Sequence, residues 1–492
     1  MEIDFFSQPG FGRSRALDPS RAINFFFETS NKQQAKSRTS LIGTPGFSLA
    51  LTAGTGPIRA LYNFGKSLYA VSGNELYYIA PNLTATALGA LNTTTGPLSI
   101  ADNRLYGTGE GGNQMAIVDG QSGYIYNPVL SSGNFSLINS PGLPPNPSDI
   151  VYIDSYFLCT NGTMAVSTSL EYDGTQWPAT AIAYAQATAD GIQGLVNLND
   201  QLMVVKESSS EGWYNNLTAP QMGSPFSLVP GAVGDYGAGA AASIAQTRNG
   251  TYFIGTQMAN GPFCGIVEMT SYNSQAIISP ASIDYRISQI PKISDAFSFT
   301  YDMEGHTFYV TTFPSAKPNG WTLVYDLTTK HFFEWSFFDS SGDPDEVGRH
   351  VASCYAYAYG KHFIGDYNSG NIYQLSSSTY TDNGNPIIST WISDLYTDKM
   401  DFSNISYQEL EVAAEVGYGD PTKSGPPVAE LSWSNDAGMK WSNTYPVSMG
   451  FVGESHKRLR WRRLGRGRNR VWKFRCSEPI RKVFVSAVMK VS

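Results

Sequence analysis

The feature that most constrains this chain is a recurrence of short aromatic strands every 40 to 50 residues or so. Residues 58–79, IRALYNFGKSLYAVSGNELYYI, read as one unit: an alternating strand, a polar turn, a strand rich in Tyr or Phe, a Gly/Asn turn, and a third strand. The middle strand of the unit recurs at Leu68, Leu105, Tyr156, Leu202, Tyr252, Phe308 and His362, with spacings of 37, 51, 46, 50, 56 and 54 residues. Turns such as Phe64-Gly65-Lys66, Asn199-Asp200, Arg248-Asn249-Gly250 and Met303-Glu304-Gly305 precede most of them. Such units cannot bury their faces alone, and this period is that of a propeller blade. Seven marks predict about seven blades.

Composition supports the class. With 48 Gly, 29 Tyr, 26 Phe and only 15% charged residues, the chain suits short twisted strands and argues against long helices and against disorder. No segment shows sustained helical periodicity, so the expected fold is all-β. At 492 residues, a large repeat domain with smaller appendages is expected. Cys159, Cys264, Cys354 and Cys476 are scattered without a CxxC pair and read as buried thiols. The opening MEIDFFSQPGFGRSR lacks a basic start followed by an apolar run, and no apolar stretch approaches membrane-spanning length. The expectation is a protein made in a cytoplasm and not inserted in a membrane.

Three regions follow from the pattern. Residues 1–57 do not fit the repeat and form an arm with strands, which either completes a blade or reaches a neighbouring subunit. Residues 58–385 hold the propeller; its long apolar and uncharged insert at 217–242 suits contact with protein. Residues 386–492 change character and read as a compact β-sandwich, with strands expected at 387–395, 405–416, 428–433, 458–461, 471–476 and 483–491.

Little in the chain suggests catalysis or a cofactor. Gly107 to Gly112 fit the letters of GxGxxG, but a strand follows where a dinucleotide site needs a helix N-terminus. The five histidines, His306, His331, His350, His362 and His456, show no metal-ligand spacing, and no GxSxG elbow is present. No enzyme, cofactor, metal or small-molecule substrate is expected. Ser434, Asp436, Gly438 and Trp441 fit SxDxGxxW, which resembles the Asp-box hairpin of sialidase-type propellers. There Asp ties the turn amides, Gly takes a positive φ and Trp packs beneath, a structural turn rather than a ligand site.

The charge distribution is more informative. Residues 457–492 carry 13 of the 33 Lys and Arg and one acid, Glu478, leaving 20 basic and 40 acidic residues elsewhere. Within this tail Arg458, Arg460 and Arg462, and then Arg470, Lys473 and Arg475, alternate with apolar residues. On strands, one face would enter the sandwich and the other would present a row of cations. Arg463, Arg466 and Arg468 occupy the Gly-containing loop between them. Such a set suits phosphates or an acidic protein surface. These nine residues are the candidate contact site, for a protein partner or for DNA.

The order of parts then resembles a known family. The strand Asn24-Phe25-Phe26-Phe27-Glu28, the Thr44-Pro45-Gly46 turn, the propeller, and a sandwich with Ser432 to Gly438, Trp461 to Arg466 and Arg470 to Phe474 resemble the packaged-DNA stabilisation proteins, or tail hub and nozzle proteins, of short-tailed bacteriophages. The resemblance implies a structural protein of the virion, assembled in the host cytoplasm. It implies a homo-oligomeric ring of six below the portal and adaptor, in contact with other tail proteins. Such a ring retains packaged double-stranded DNA and passes it on ejection. Two other readings stay open: a carbohydrate-binding or receptor-binding propeller of a phage tail, and a DNA-binding protein acting through its basic C-terminal domain.

Overall fold

The computed structural model describes residues 2–3, 5–6, 9–14, 16–30, 39–105, 113–128, 135–257, 261–338, 346–397, 403–419 and 425–492. Among them, seven antiparallel sheets succeed one another in chain order as blades. Their inner strands are Ile58–Phe64, Ser99–Asp102, Asp149–Ile153, Ile192–Leu198, Gly237–Ala238 with Ala245–Gln246, Phe297–Met303 and Ala352–Ala358. One eight-residue helix, Ala281–Ser288, lies between blades 5 and 6.

Turn chemistry explains why the strands fold back where they do. In five blades a two-residue turn with both φ positive joins the first two strands: Gly65-Lys66, Asp154-Ser155, Asn199-Asp200, Glu304-Gly305 and Tyr359-Gly360. That is the turn whose twist matches paired strands. In three blades a buried aspartate organises a later hairpin, between the second and third strands in blades 2 and 7 and between the third and fourth in blade 6. Asp119 accepts from the amides of Gln121 and Ser122 at 2.9 and 2.7 Å, Asp326 from Thr328 at 2.9 Å, and Asp366 from Asn368 at 2.8 Å. Neighbouring inner strands are clipped by side chains reaching backbone. Ser353 Oγ donates to Ile58 O at 2.7 Å, Thr300 Oγ1 to Gln246 O at 2.8 Å, and Asp149 accepts from the Leu195 amide at 2.6 Å.

Six of the seven second-strand marks lie in second strands. The exception is Leu105: the second strand of blade 2 is Met115–Val118, and Leu105 lies in the long connection that precedes it. The Gly-rich segment 107–112 lies outside the described residues. The stretch 217–242, read as one loop, contains the outer strand of blade 4, Phe226–Gly234, and Gly237–Ala238 of blade 5. Its strands pair with Ser210–Asn215 before it and Thr251–Gln257 after it, both outside the stretch itself.

The N-terminal residues are threaded through both halves of the molecule. Gly46–Thr52 pairs antiparallel with Asn371–Ser376 and supplies the fourth strand of blade 7, joining the two ends of the propeller. Gly46 is required at that crossing, because a Cβ there would lie 2.4 Å from the Thr381 carbonyl oxygen. Arg21–Ile23 pairs parallel with His331–Glu334 of blade 6 and antiparallel with Ser389–Ile392, so one nine-stranded sheet runs from blade 6 into the sandwich. The hairpin of Phe25–Thr29 and Thr39–Gly43 joins the other sandwich sheet through Val483–Val491.

The largest core lies at this junction. Phe26 meets Phe308 and Phe333 of blade 6, Phe27 meets Trp391, and Phe25 meets Phe484 edge-on at 5.8 Å. Phe25 and Phe27 are fully buried, each contributing about 1.5–3 kcal/mol. Arg21 and Arg286 converge on the buried Glu334 carboxylate, Arg21 through two 2.7 Å bonds, while Trp321 Nε1 donates to it at 3.0 Å. Burial alone would raise the Glu334 carboxyl, but the two guanidinium groups outweigh it and hold it at about 2.

Candidate partner-binding surface

The basic segment is built on two different sheets. Leu459–Arg462 is an edge strand paired with Ile405–Ala414. Its alternation sends Leu459 and Trp461 inward and leaves Arg458, Arg460 and Arg462 on the outer face. Val471–Cys476 belongs to the opposite sheet. Trp472 and Phe474 enter the core, where Phe474 meets Phe484 at 4.6 Å, so Lys473 and Arg475 turn to the other side of the sandwich. There they line a cleft of about 600 Å³ together with Arg13, Arg21, Tyr285 and Trp441. The two cationic alternations therefore form two surfaces, not one row.

On the first surface the arginines are partnered. Arg458 makes a two-point pair with Glu411 at 2.5 and 2.6 Å, and Arg460 shares the same carboxylate at 2.7 Å. Arg462 and Lys490 flank Glu409 at 2.7 and 2.8 Å. Hydrogen bonds from Lys490 and then Arg462 hold the Glu409 carboxyl below its ordinary range, and the bond to Glu411 raises the Arg458 guanidinium. Four cations and two carboxylates thus form an ordered ladder whose net charge is half what its four cations alone would give.

The loop carries the unpartnered charge. Arg463 adopts a left-handed φ of 60°, which lets Leu464 turn into the core while the Arg463 side chain stays outside. The amides of Arg463 and Leu464 donate to the carbonyls of Gln408 and Tyr407, and Arg466–Gly467 adds a short strand against residues 405–406. Arg463, Arg466 and Arg468 are exposed and form no ion pair among the described residues. Arg463 and Arg466 share an open basic recess with Arg462 and Lys490, interrupted by Glu409.

Arg470 is not a contact residue. It is fully buried, and its guanidinium lies over Tyr407, Trp472 and Trp433 at 4.5, 4.9 and 5.3 Å. It donates to Leu464 O at 2.8 Å and to Asn435 Oδ1 at 2.7 Å, so it is the strut that fixes the loop. Burial among the rings lowers this guanidinium to about 10. Reading its cation as part of an exposed row fails because Val471, with its neighbours, begins a core strand one residue later.

The Asp-box-like hairpin abuts the same loop. Asp436 Oδ1 accepts from Ser434 Oγ at 2.6 Å and from the amides of Met439 and Lys440 at 3.0 and 2.9 Å. Gly438 has a φ of 88°, and Trp441 packs beside it beneath Lys473 at 4.7 Å. Asp436 also forms a parallel bridge to Asn469, which fastens the hairpin to the arginine loop. Its carboxylate is spent on the turn. No group of three or more potential metal ligands occurs among the described residues.

Comparison with known proteins agrees with this architecture. Residues 21–380 match the family described as "Bacteriophage P22 Gp10, beta-propeller", and residues 393–492 match "Bacteriophage P22 Gp10, beta-sandwich". No curated protein matches the chain. Solved structures with some likeness include the WD40 propeller domain of Doa1, at 9% identity and a TM-score of 0.38, covering 68% of this chain and 97% of that one. The Neurospora crassa Pan2 WD40 domain, at 11% and 0.39, covers 65% and 89%. PorZ of Porphyromonas gingivalis, at 12% and 0.38, covers 81% and 46%. With both halves matched in order, the chain belongs to the bacteriophage P22 Gp10 family and is a phage structural protein of propeller and sandwich.

Proposed function

We propose that this chain is the subunit of an oligomeric ring, of six copies, that sits below the portal and adaptor of a short-tailed phage. The ring retains packaged DNA and provides the channel for its ejection, and it assembles in the host cytoplasm with the other tail proteins. The observation that carries this reading is the family match over both domains in order. The charge distribution supports it: an acidic body repels DNA weakly and lets it slide, while the arginine loop docks on an acidic neighbour. Protein is favoured over DNA as the loop's partner because Glu409 and Glu411 on the same face already occupy Arg458, Arg460 and Arg462, which leaves fewer cations for phosphates.

Neutralising Arg462, Arg463, Arg466 and Arg468 together is expected to impair virion assembly or genome retention. None of the four side chains is buried, so the fold should survive. Particle yield and packaged DNA per particle read the outcome. Infectious, full particles at wild-type yield would count against the loop as a docking surface.

A further inference from the structure

We propose that the arginine loop of one subunit docks, head to tail, on the acidic face of blades 3 and 4 in a second copy of this chain. The inference rests on the ring assembly proposed above and names the contact that builds it. Residues 105–247 contain eleven acids and a single base, Lys206. That base is fully buried against Asp190 and Glu211. The exposed surface of this third of the chain therefore carries no cation among the described residues.

Three of its carboxylates stand on one face. Asp154 and Asp200 occupy the positive-φ turns between the first two strands of blades 3 and 4. Glu171 lies in the next loop on the same side, beside Tyr172, whose amide bonds the Ser155 carbonyl. All three are exposed, matching three exposed and unpaired arginines in the loop. Apolar surface accompanies them: Tyr172 is 41% exposed, Leu217 87% and Met222 84%. Tyr and Met beside charge are characteristic of protein interfaces rather than of a surface facing nucleic acid.

Ring position makes the contact intermolecular. The sandwich is bonded to blades 6 and 7 through Arg21–Ile23 and through the core around Phe26 and Phe47. In a circle of seven, blade 3 lies across the axis from the junction of blades 6 and 7. The basic loop and the acidic face thus lie on opposite sides of the molecule and cannot meet within one chain. A contact between two different patches is heterologous, the kind that closes into a ring.

The test is a charge exchange in the full chain, scored as occupancy on portal–adaptor complexes by mass photometry. Arg463, Arg466 and Arg468→Glu together, and Asp154, Glu171 and Asp200→Arg together, should each weaken assembly at least tenfold while keeping the wild-type circular dichroism and melting profile. Combining the six changes should restore it. Failure of the combination to restore assembly, or wild-type assembly by either triple variant, overturns the proposal. Loss of duplex-DNA binding with intact assembly in the loop variant also overturns it and assigns the loop to DNA. A wild-type chain that never forms a ring overturns the assembly reading itself, and this contact with it.

Discussion

Glu334 shows how a single buried charge ties the strand Arg21–Ile23 to the propeller. Its carboxylate is fully buried, whereas Arg21 and Arg286 each keep some water. Its carboxyl is depressed to about 2 in the fold against an ordinary value near 4.5. The folded protein therefore holds fewer protons than the unfolded chain between those values. Its stabilisation is complete above about pH 4.5 and is lost as pH falls towards 2. Glu334→Gln should lower stability at neutral pH by about 3 kcal/mol, near the lower limit for breaking a buried pair. It should also flatten the acid limb of the stability profile. Urea denaturation followed between pH 3 and 7 reads both; an unchanged acid limb would show that the pair is not what acid disrupts. The arginines teach the complementary lesson. Their alternation with apolar residues was legible in the sequence, but Glu409 and Glu411 lie about fifty residues away and meet them only through strand pairing. Which cations remain free is a property of the sheet.

Closure by the strand Gly46–Thr52 is the element on which the propeller depends. Phe47 is buried against Tyr373 at 4.8 Å and His350 at 5.5 Å. Phe47→Ala should cost about 3–5 kcal/mol and expose blade 7 first. Limited proteolysis should then cut within residues 352–376 before the other blades; cleavage spread evenly over all blades would contradict this role for the strand. The blades themselves were readable because their turns are local: two-residue positive-φ turns and aspartate-tied hairpins announce themselves within a few residues. Blade 2 misled because its first connection is long, and Leu105 stands in it ahead of the second strand, Met115–Val118. Local pattern proposes a strand, but only a distant partner decides the pairing. The same reason hid the arm's threading, since Arg21–Ile23 and Gly46–Thr52 pair with strands more than three hundred residues downstream.

For the whole molecule, the arm makes propeller and sandwich one continuous body. The nine-stranded sheet and the shared core leave no hinge between blade 6 and the sandwich among the described residues. A continuous body with a basic loop on one side and acidic blades on the other suits a closed ring better than a flexible tether. Electron microscopy of the purified chain mixed with portal–adaptor complexes tests this most directly. The account predicts rings with an axial hole, of sixfold symmetry, formed alone or on the portal. Single propellers that ignore the portal under all conditions would contradict it.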